Sequence, residues 1–98
     1  MKMKLIKRGE EADVLLIGRL DVNSAPEVEK ALLDIVERFQ SVNLDLAQLE
    51  YISSAGLRTI KNFNIASRRK GGNYTVRNIP KQIMEIFEAT GFIRLLKM

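Results

Sequence analysis

The rhythm of hydrophobic positions changes several times along the chain, and each change marks an element. Residues 2 to 8 alternate loosely between apolar and polar. After the polar stretch Gly9-Glu10-Glu11-Ala12-Asp13, the run Val14-Leu15-Leu16-Ile17 is continuously apolar. Two strands joined by a polar turn account for this pattern, and the second, apolar on both faces, is expected inside a sheet and not at its edge. Leu20-Asp21-Val22-Asn23-Ser24-Ala25-Pro26-Glu27 then carries a helix start, with Asn23 or Ser24 as cap, Pro26 near the first turn, and Glu27 and Glu29 beside the positive end of the dipole. Val28, Ala31, Leu32, Ile35, Val36 and Phe39 recur at helical spacing and predict its buried stripe.

Val42, Leu44 and Leu46 alternate with Asn43, Asp45 and Ala47, which predicts a third strand with one strongly apolar face. A short loop leads into a second helix over about 55–70, stopped by Gly71-Gly72 in the manner of a left-handed C-terminal cap. Arg68, Arg69 and Lys70 fall in its last turn, where positive charge meets the negative end of the dipole. Tyr74 to Ile79 reads as a fourth strand. Pro80 opens a short helix carrying Ile83, Met84, Ile86 and Phe87, and a brief apolar segment from Gly91 to Leu96 follows. Strands and helices alternating after an initial hairpin predict an α/β fold: a mixed sheet of four to five strands, parallel in its middle, with an antiparallel first strand.

Composition narrows the function. With 98 residues and 46% hydrophobic content, one domain over 1–98 with one core is expected. No apolar run spans a bilayer and the start lacks a signal-peptide pattern, so a cytoplasmic protein without membrane contact is expected. The chain has no cysteine and no histidine, which removes disulfides, thiolate sites, Ser-His-Asp and Cys-His arrangements, and the commonest metal ligand. No close carboxylate pair stands out. Lys61 lies seven residues past Ser54, about 10 Å along a helix axis and too far to activate it. A non-enzyme without metal or cofactor is the expectation. The net charge of +4 is spread along the chain and the six aromatic residues are scattered, a poor basis for direct nucleic-acid binding.

The stretch from Leu44 to Arg58 passes from strand through loop to helix entrance, and the entrance holds Ser53 and Ser54. Unpaired N–H groups and the positive dipole end make such a place fit for a cap, an anion or a modifiable serine. Only one of the two serines can be the cap residue. On a helical wheel Gly56, Leu57, Ile60, Phe63 and Ser67 share the side expected to face the sheet, with Gly56 allowing close approach. Arg58, Lys61, Ile65, Arg68 and Arg69 form another sector, either a solvated face or a docking surface.

Asp45-Leu46 followed by Ser54, Gly56 and Leu57 resembles the signature of the anti-sigma factor antagonists, the free-standing members of the STAS domain family: an Asp-Leu strand end, a short loop, then Asp-Ser-Ser/Thr-Gly-Leu opening a helix. Ser53 stands in place of the usual Asp and Ala55 in place of the second Ser or Thr. Arg19, in Gly18-Arg19-Leu20-Asp21, replaces the acid of a Gly-Glu-Leu-Asp turn. The resemblance implies a STAS fold and a partner that is both anti-sigma factor and serine kinase. That partner would phosphorylate Ser54, with Ser53 the neighbouring alternative, and a separate phosphatase would reverse the step. It implies partner contact through the turn at Asp21 and Asn23 and the helix entrance at Ser53, Ser54 and Gly56. Added to these is the outer sector at Arg58, Lys61, Ile65 and Arg69. Three alternatives stay open: a STAS subunit of a lipid-transport or stress-signalling assembly without a kinase cycle, a small nucleotide-binding domain with phosphates at the helix entrance, and, ranked last, nucleic-acid binding through the basic helix face.

Overall fold

The computed structural model describes residues 1–96. Its elements are β1 (Lys2–Arg8), β2 (Glu11–Leu20), α1 (Ala25–Arg38), β3 (Ser41–Asp45), β4 (Leu49–Ile52), α2 (Ser54–Lys70), β5 (Asn73–Arg77), α3 (Lys81–Ala89) and a 3-10 turn (Phe92–Leu95). The sheet has five strands in the order β1-β2-β3-β5, with β4 paired to β2. β1 runs antiparallel to β2, from Lys2 opposite Ile17 to Arg8 opposite Glu11. β3 lies parallel to β2 over Glu11–Leu15, and β4 takes over beside Gly18–Leu20 after a register shift at Gly18 and Arg19.

The expected α/β architecture with an antiparallel first strand is the one observed. β4 is the strand that periodicity does not reveal. It has only four residues, and its burial runs inside, outside, outside, inside, so Leu49 and Ile52 are buried while Glu50 and Tyr51 are exposed. A strand that short has no second period by which to recognise it.

β2 also departs from expectation. It does lie inside the sheet, yet only one of its faces is fully covered: Ala12, Val14, Leu16 and Leu20 are inaccessible, whereas Leu15 and Ile17 on the other face are half-buried. α1 and α2 pack against each other over the covered face, and α3 contacts β4. The single core joins Val14, Leu16, Leu32, Val36, Leu44, Ile60, Phe63, Val76 and Phe87. In α1 the buried stripe is Ala25, Val28, Leu32, Ile35 and Val36, with Ala31 only half-buried, so the stripe begins earlier than predicted. In α2 Thr59 is buried and Leu57 half-buried, while Gly56, Ile60, Phe63 and Ser67 face inward as predicted. Gly71 closes α2 in the left-handed conformation at φ 76°, donating to the carbonyls of Ser67 and Arg68. β5 ends at Arg77, two residues short of the predicted strand end, because Asn78 turns the chain at φ 54°.

The face without helices holds a polar chain. Asn43, only 4% exposed, donates from its amide nitrogen to Glu11 at 2.7 Å and Asp13 at 2.9 Å, and its carbonyl accepts from the Thr75 hydroxyl at 2.7 Å. Arg8 donates to both carboxylate oxygens of Asp13. The Arg8 hydrogen bonds, then the Asn43 amide, hold the Asp13 carboxyl below the usual carboxylate range despite partial burial.

Two outcomes follow. A depressed carboxyl contributes stability that is present above the unfolded-state value, roughly pH 4, and is lost as pH falls through the lowered folded value. Urea midpoints should therefore fall on acidification below about pH 4, and Asp13→Asn should be less stable at neutral pH and flatter in acid. At Gly56, an added Cβ would come within 2.7 Å of the Leu20 carbonyl oxygen and 2.8 Å of Ile52 Cγ1. Gly56→Ala should therefore destabilise by about 1–3 kcal/mol in urea titrations, although alanine is the better helix former by roughly 1 kcal/mol.

Candidate functional site

β4 delivers the chain to the α2 entrance, and the two serines there divide their labour. Ser53 is extended (φ −97°, ψ 177°) and is the cap, its hydroxyl accepting from the Gly56 amide at 3.3 Å. Ser54 is the first residue of α2 and is exposed, and its hydroxyl has no hydrogen-bond partner among the described residues. The choice of cap left open by sequence is thus resolved: Ser53 is occupied by the helix end, and Ser54 faces solvent beside the first-turn N–H groups.

A second segment is bound to this entrance. The Ser53 amide donates to the Leu20 carbonyl at 2.9 Å, which fixes the β2–α1 turn against the start of α2. The same carbonyl is the atom that leaves no room for a side chain at position 56. One turn on, the buried Thr59 hydroxyl donates to the Ala25 carbonyl at 3.4 Å. Residues 20–25 and 53–59 therefore form one rigid corner.

Within the turn, Asp21 organises the approach to α1, whose N-cap carries no side-chain cap bond. Its backbone carbonyl accepts from the Ala25 amide at 2.8 Å, and its Oδ1 accepts from the amides of Asn23 at 3.0 Å and Ser24 at 3.2 Å. These bonds, led by the one from Ser24 and aided by Arg19 at 3.9 Å, hold its carboxyl below the usual range. Ser24 occupies the N-cap position of α1 without capping it; its hydroxyl donates to the Arg19 carbonyl at 2.8 Å and accepts from the Asp21 amide at 3.0 Å. Asn23 is exposed, and Val22 beside it is 69% exposed.

The corner thus brings together Asp21, Asn23, Ser53 and Ser54. Gly56, expected on the partner surface, is buried instead, because the helix must approach Leu20 closely there; its place is in the packing beneath the surface. Arg58 is exposed one turn beyond Ser54. Lys61, Ile65 and Arg69 are exposed further along α2, Ile65 about 16 Å from Ser54 along the axis. Sequence reasoning missed the pair formed by Arg19 and Tyr51, whose guanidinium lies 4.2 Å from the ring centroid. Tyr51 is exposed in β4, so recognising that short strand and its outward phase was the signal that could have found it.

The surface offers a hydroxyl at a helix N-terminus with polar loops around it, and among the described residues no side-chain base is hydrogen-bonded to that hydroxyl. Such a serine is suited to accept a group from another protein's active site.

Residues 4–98 match the family model described as the STAS domain. The anti-sigma-B factor antagonist of Bacillus subtilis (strain 168) is 25% identical over 87 residues, which cover 88% of this chain and 80% of that protein. Among solved structures, an anti-sigma factor antagonist from Mycobacterium paratuberculosis superposes with a TM-score of 0.80 at 19% identity, covering 97% of this chain and 81% of that one. The Bacillus SpoIIAA, solved in a phosphorylated form, superposes at 0.76 and 13% identity over 98% of this chain and 89% of that one. Sequence match over nearly the whole length and the shared sheet topology agree: the chain belongs to the STAS domain family.

Proposed function

We propose that this chain is an anti-sigma factor antagonist whose binding surface is switched by phosphorylation of Ser54. The observation that carries the reading is the division between the two serines. Ser53 is used up by the helix cap, while Ser54 is exposed and has no hydrogen-bond partner among the described residues. The relatives that bear the name anti-sigma factor antagonist support the partner class, and SpoIIAA, itself solved in a phosphorylated form, supports the chemistry.

In this reading the unmodified corner at Asp21, Asn23, Ser53 and Ser54, together with Arg58, docks onto an anti-sigma factor in the cytoplasm and frees the sigma factor that it holds. The outer positions Lys61, Ile65 and Arg69 extend the contact. The partner is also a serine kinase. Ser54 Oγ forms a bond to the γ-phosphorus of ATP, the bond to the ADP oxygen breaks, and the hydroxyl proton passes to a base of the kinase. A separate phosphatase hydrolyses the ester. The domain contributes the acceptor and its presentation, performs no chemistry of its own and needs no cofactor.

The energetics favour an on–off response. A phosphoserine adds about −1.5 to −2 charges and strong acceptor oxygens. Buried in an interface without partners, such a group costs about 3 kcal/mol or more, which weakens binding over a hundredfold. In the free domain the phosphate sits at the α2 N-terminus, where the dipole and first-turn amides favour it, with Arg58 one turn away. The rigid corner has no reason to rearrange. Modification changes the surface and leaves the fold alone.

Incubation with ATP and the cognate anti-sigma kinase should place one phosphate on Ser54 by mass mapping. Ser54→Ala should take up none while still binding, and label found on Ser53 would refute the assignment. Ser54→Asp should weaken partner binding by at least about tenfold in calorimetry, a loss of roughly 1.4 kcal/mol. Amide shifts on phosphorylation should stay within residues 51–60 and the adjoining turn, and shifts across the whole sheet would contradict a switch confined to the surface.

A further inference from the structure

α1 and α2 lie side by side, and between them runs an open groove of about 760 Å³. Its walls are two matching rows. On α1, Glu29, Leu33 and Glu37 are spaced four residues apart and line one side. On α2, Ile65 and Arg69 line the other, and Lys61 continues their row one turn earlier at the same spacing. Each row is therefore an apolar residue flanked by like charges, acidic on α1 and basic on α2. At 1.5 Å per residue each row is about 12 Å long, somewhat over two helical turns.

Facing rows of opposite charge would ordinarily pair with each other, and these do not. The ion pairs among the described residues are Arg8 with Glu11 and Asp13, Arg19 with Asp21, and Arg38 with Asp34, and none of them crosses the groove. Apart from Lys70 at one end, the polar side-chain bond across it among the described residues joins Asn62 to Glu29 at 3.1 Å. At one end the two helices are tied together. Lys70, on α2, donates to the carbonyls of Val36 and Glu37 at the C-terminal end of α1, at 2.7 and 2.6 Å, and locks the helices together there. Ile65 remains 38% exposed between the charged walls.

We infer that the α1–α2 groove is a preformed seat for an amphipathic helix of a partner protein, one carrying an apolar row flanked by basic side chains on one edge and acidic side chains on the other. Charge complementarity selects this occupant. An apolar row fits between Leu33 and Ile65, basic groups meet Glu29 and Glu37, and acidic groups meet Lys61 and Arg69. Turning the helix end for end exchanges its edges, so the groove demands opposite charges on the two edges without fixing direction. The inference rests on the reading of this chain as a binding module, for which it names the chemistry of one contact. It does not rest on modification of Ser54.

The test uses the intact chain labelled with 15N and a lactam-stapled helical peptide of about 14 residues, stapled because unaided helices of that length are marginal in water. Its leucine row is flanked by Lys on one edge and Glu on the other. Two control peptides carry Glu on both edges or Lys on both. The mixed-edge peptide should shift amides within 29–37 and 61–70 saturably, and each control should bind about fivefold more weakly or worse. Ile65→Ser and the charge reversals Glu37→Lys and Arg69→Glu, all at exposed positions, should each weaken the mixed-edge peptide by about fivefold or more. Ser54→Ala should bind it like the parent, so the phosphotransfer assay and this titration fail independently. Absence of saturable shifts, equal affinity for the controls, or shifts mapping to 19–24 and 51–56 would overturn the inference. So would sedimentation showing self-association that Ile65→Ser abolishes, since the groove would then be filled by a second copy.

Discussion

The structure turns on the contact between the Leu20 carbonyl and the first turn of α2. That oxygen accepts the Ser53 amide and at the same time bounds the space above Gly56, so the end of β2 and the start of α2 approach too closely to admit a side chain at position 56. Everything displayed at that corner is placed by it. The cap at Ser53 follows because the chain must arrive extended to make the bond, and Ser54 is left outside because its neighbour has taken the cap. Next to that carbonyl in the chain, the Asp21 carboxylate and carbonyl hold the amides of Asn23, Ser24 and Ala25 that lead into α1. Precision at a surface loop here comes from main-chain geometry, which a partner can rely on without refolding it.

Much of this was legible in the sequence for physical reasons. Long amphipathic segments repeat their period often enough to be unambiguous, so α1 and α2 fall within a residue or so of their expected limits, and Gly71 marks the end of α2 as only a residue tolerant of positive φ does. Gly56 was legible as a point of close approach, although its burial removes it from the surface where the family signature suggested it. β4 was not legible, because four residues with Leu49 and Ile52 turned inward carry no alternation. The uncovered face of β2 was not legible either: Leu15 and Ile17 are as hydrophobic as Val14 and Leu16, and only the placement of the helices decides which pair is sealed. The α1 wall of the groove escaped notice for a related reason. Glu29 and Glu37 look like ordinary solvated acids until the fold sets them opposite a basic row.

The helix-free face shows how a half-covered sheet can be stabilised without apolar burial. Asn43 is nearly inaccessible although no helix lies over it, because Glu11, Asp13 and Thr75 close around it from both neighbouring strands. Its amide uses both its donor and acceptor ends, so the group is satisfied and specifies register: a slip of one residue would break all three bonds together. A network of this kind favours one pairing over its neighbours more than it adds raw stability.

The outermost strands carry a consequence for assembly. β1 ends the sheet on one side, and four of its seven residues are basic: Lys2, Lys4, Lys7 and Arg8. Were two copies to extend their sheets by joining β1 to β1, basic side chains would crowd against basic side chains across the new ladder, and each would have to be stripped of water. β5, at the opposite margin, is short and finishes at Arg77 before Asn78 bends the chain away. Lateral polymerisation through open backbone is thereby disfavoured at β1 and at β5. Charge on one of these strands and brevity on the other thus oppose sheet-to-sheet templating there, whereas the helical side presents side chains and not bare peptide groups.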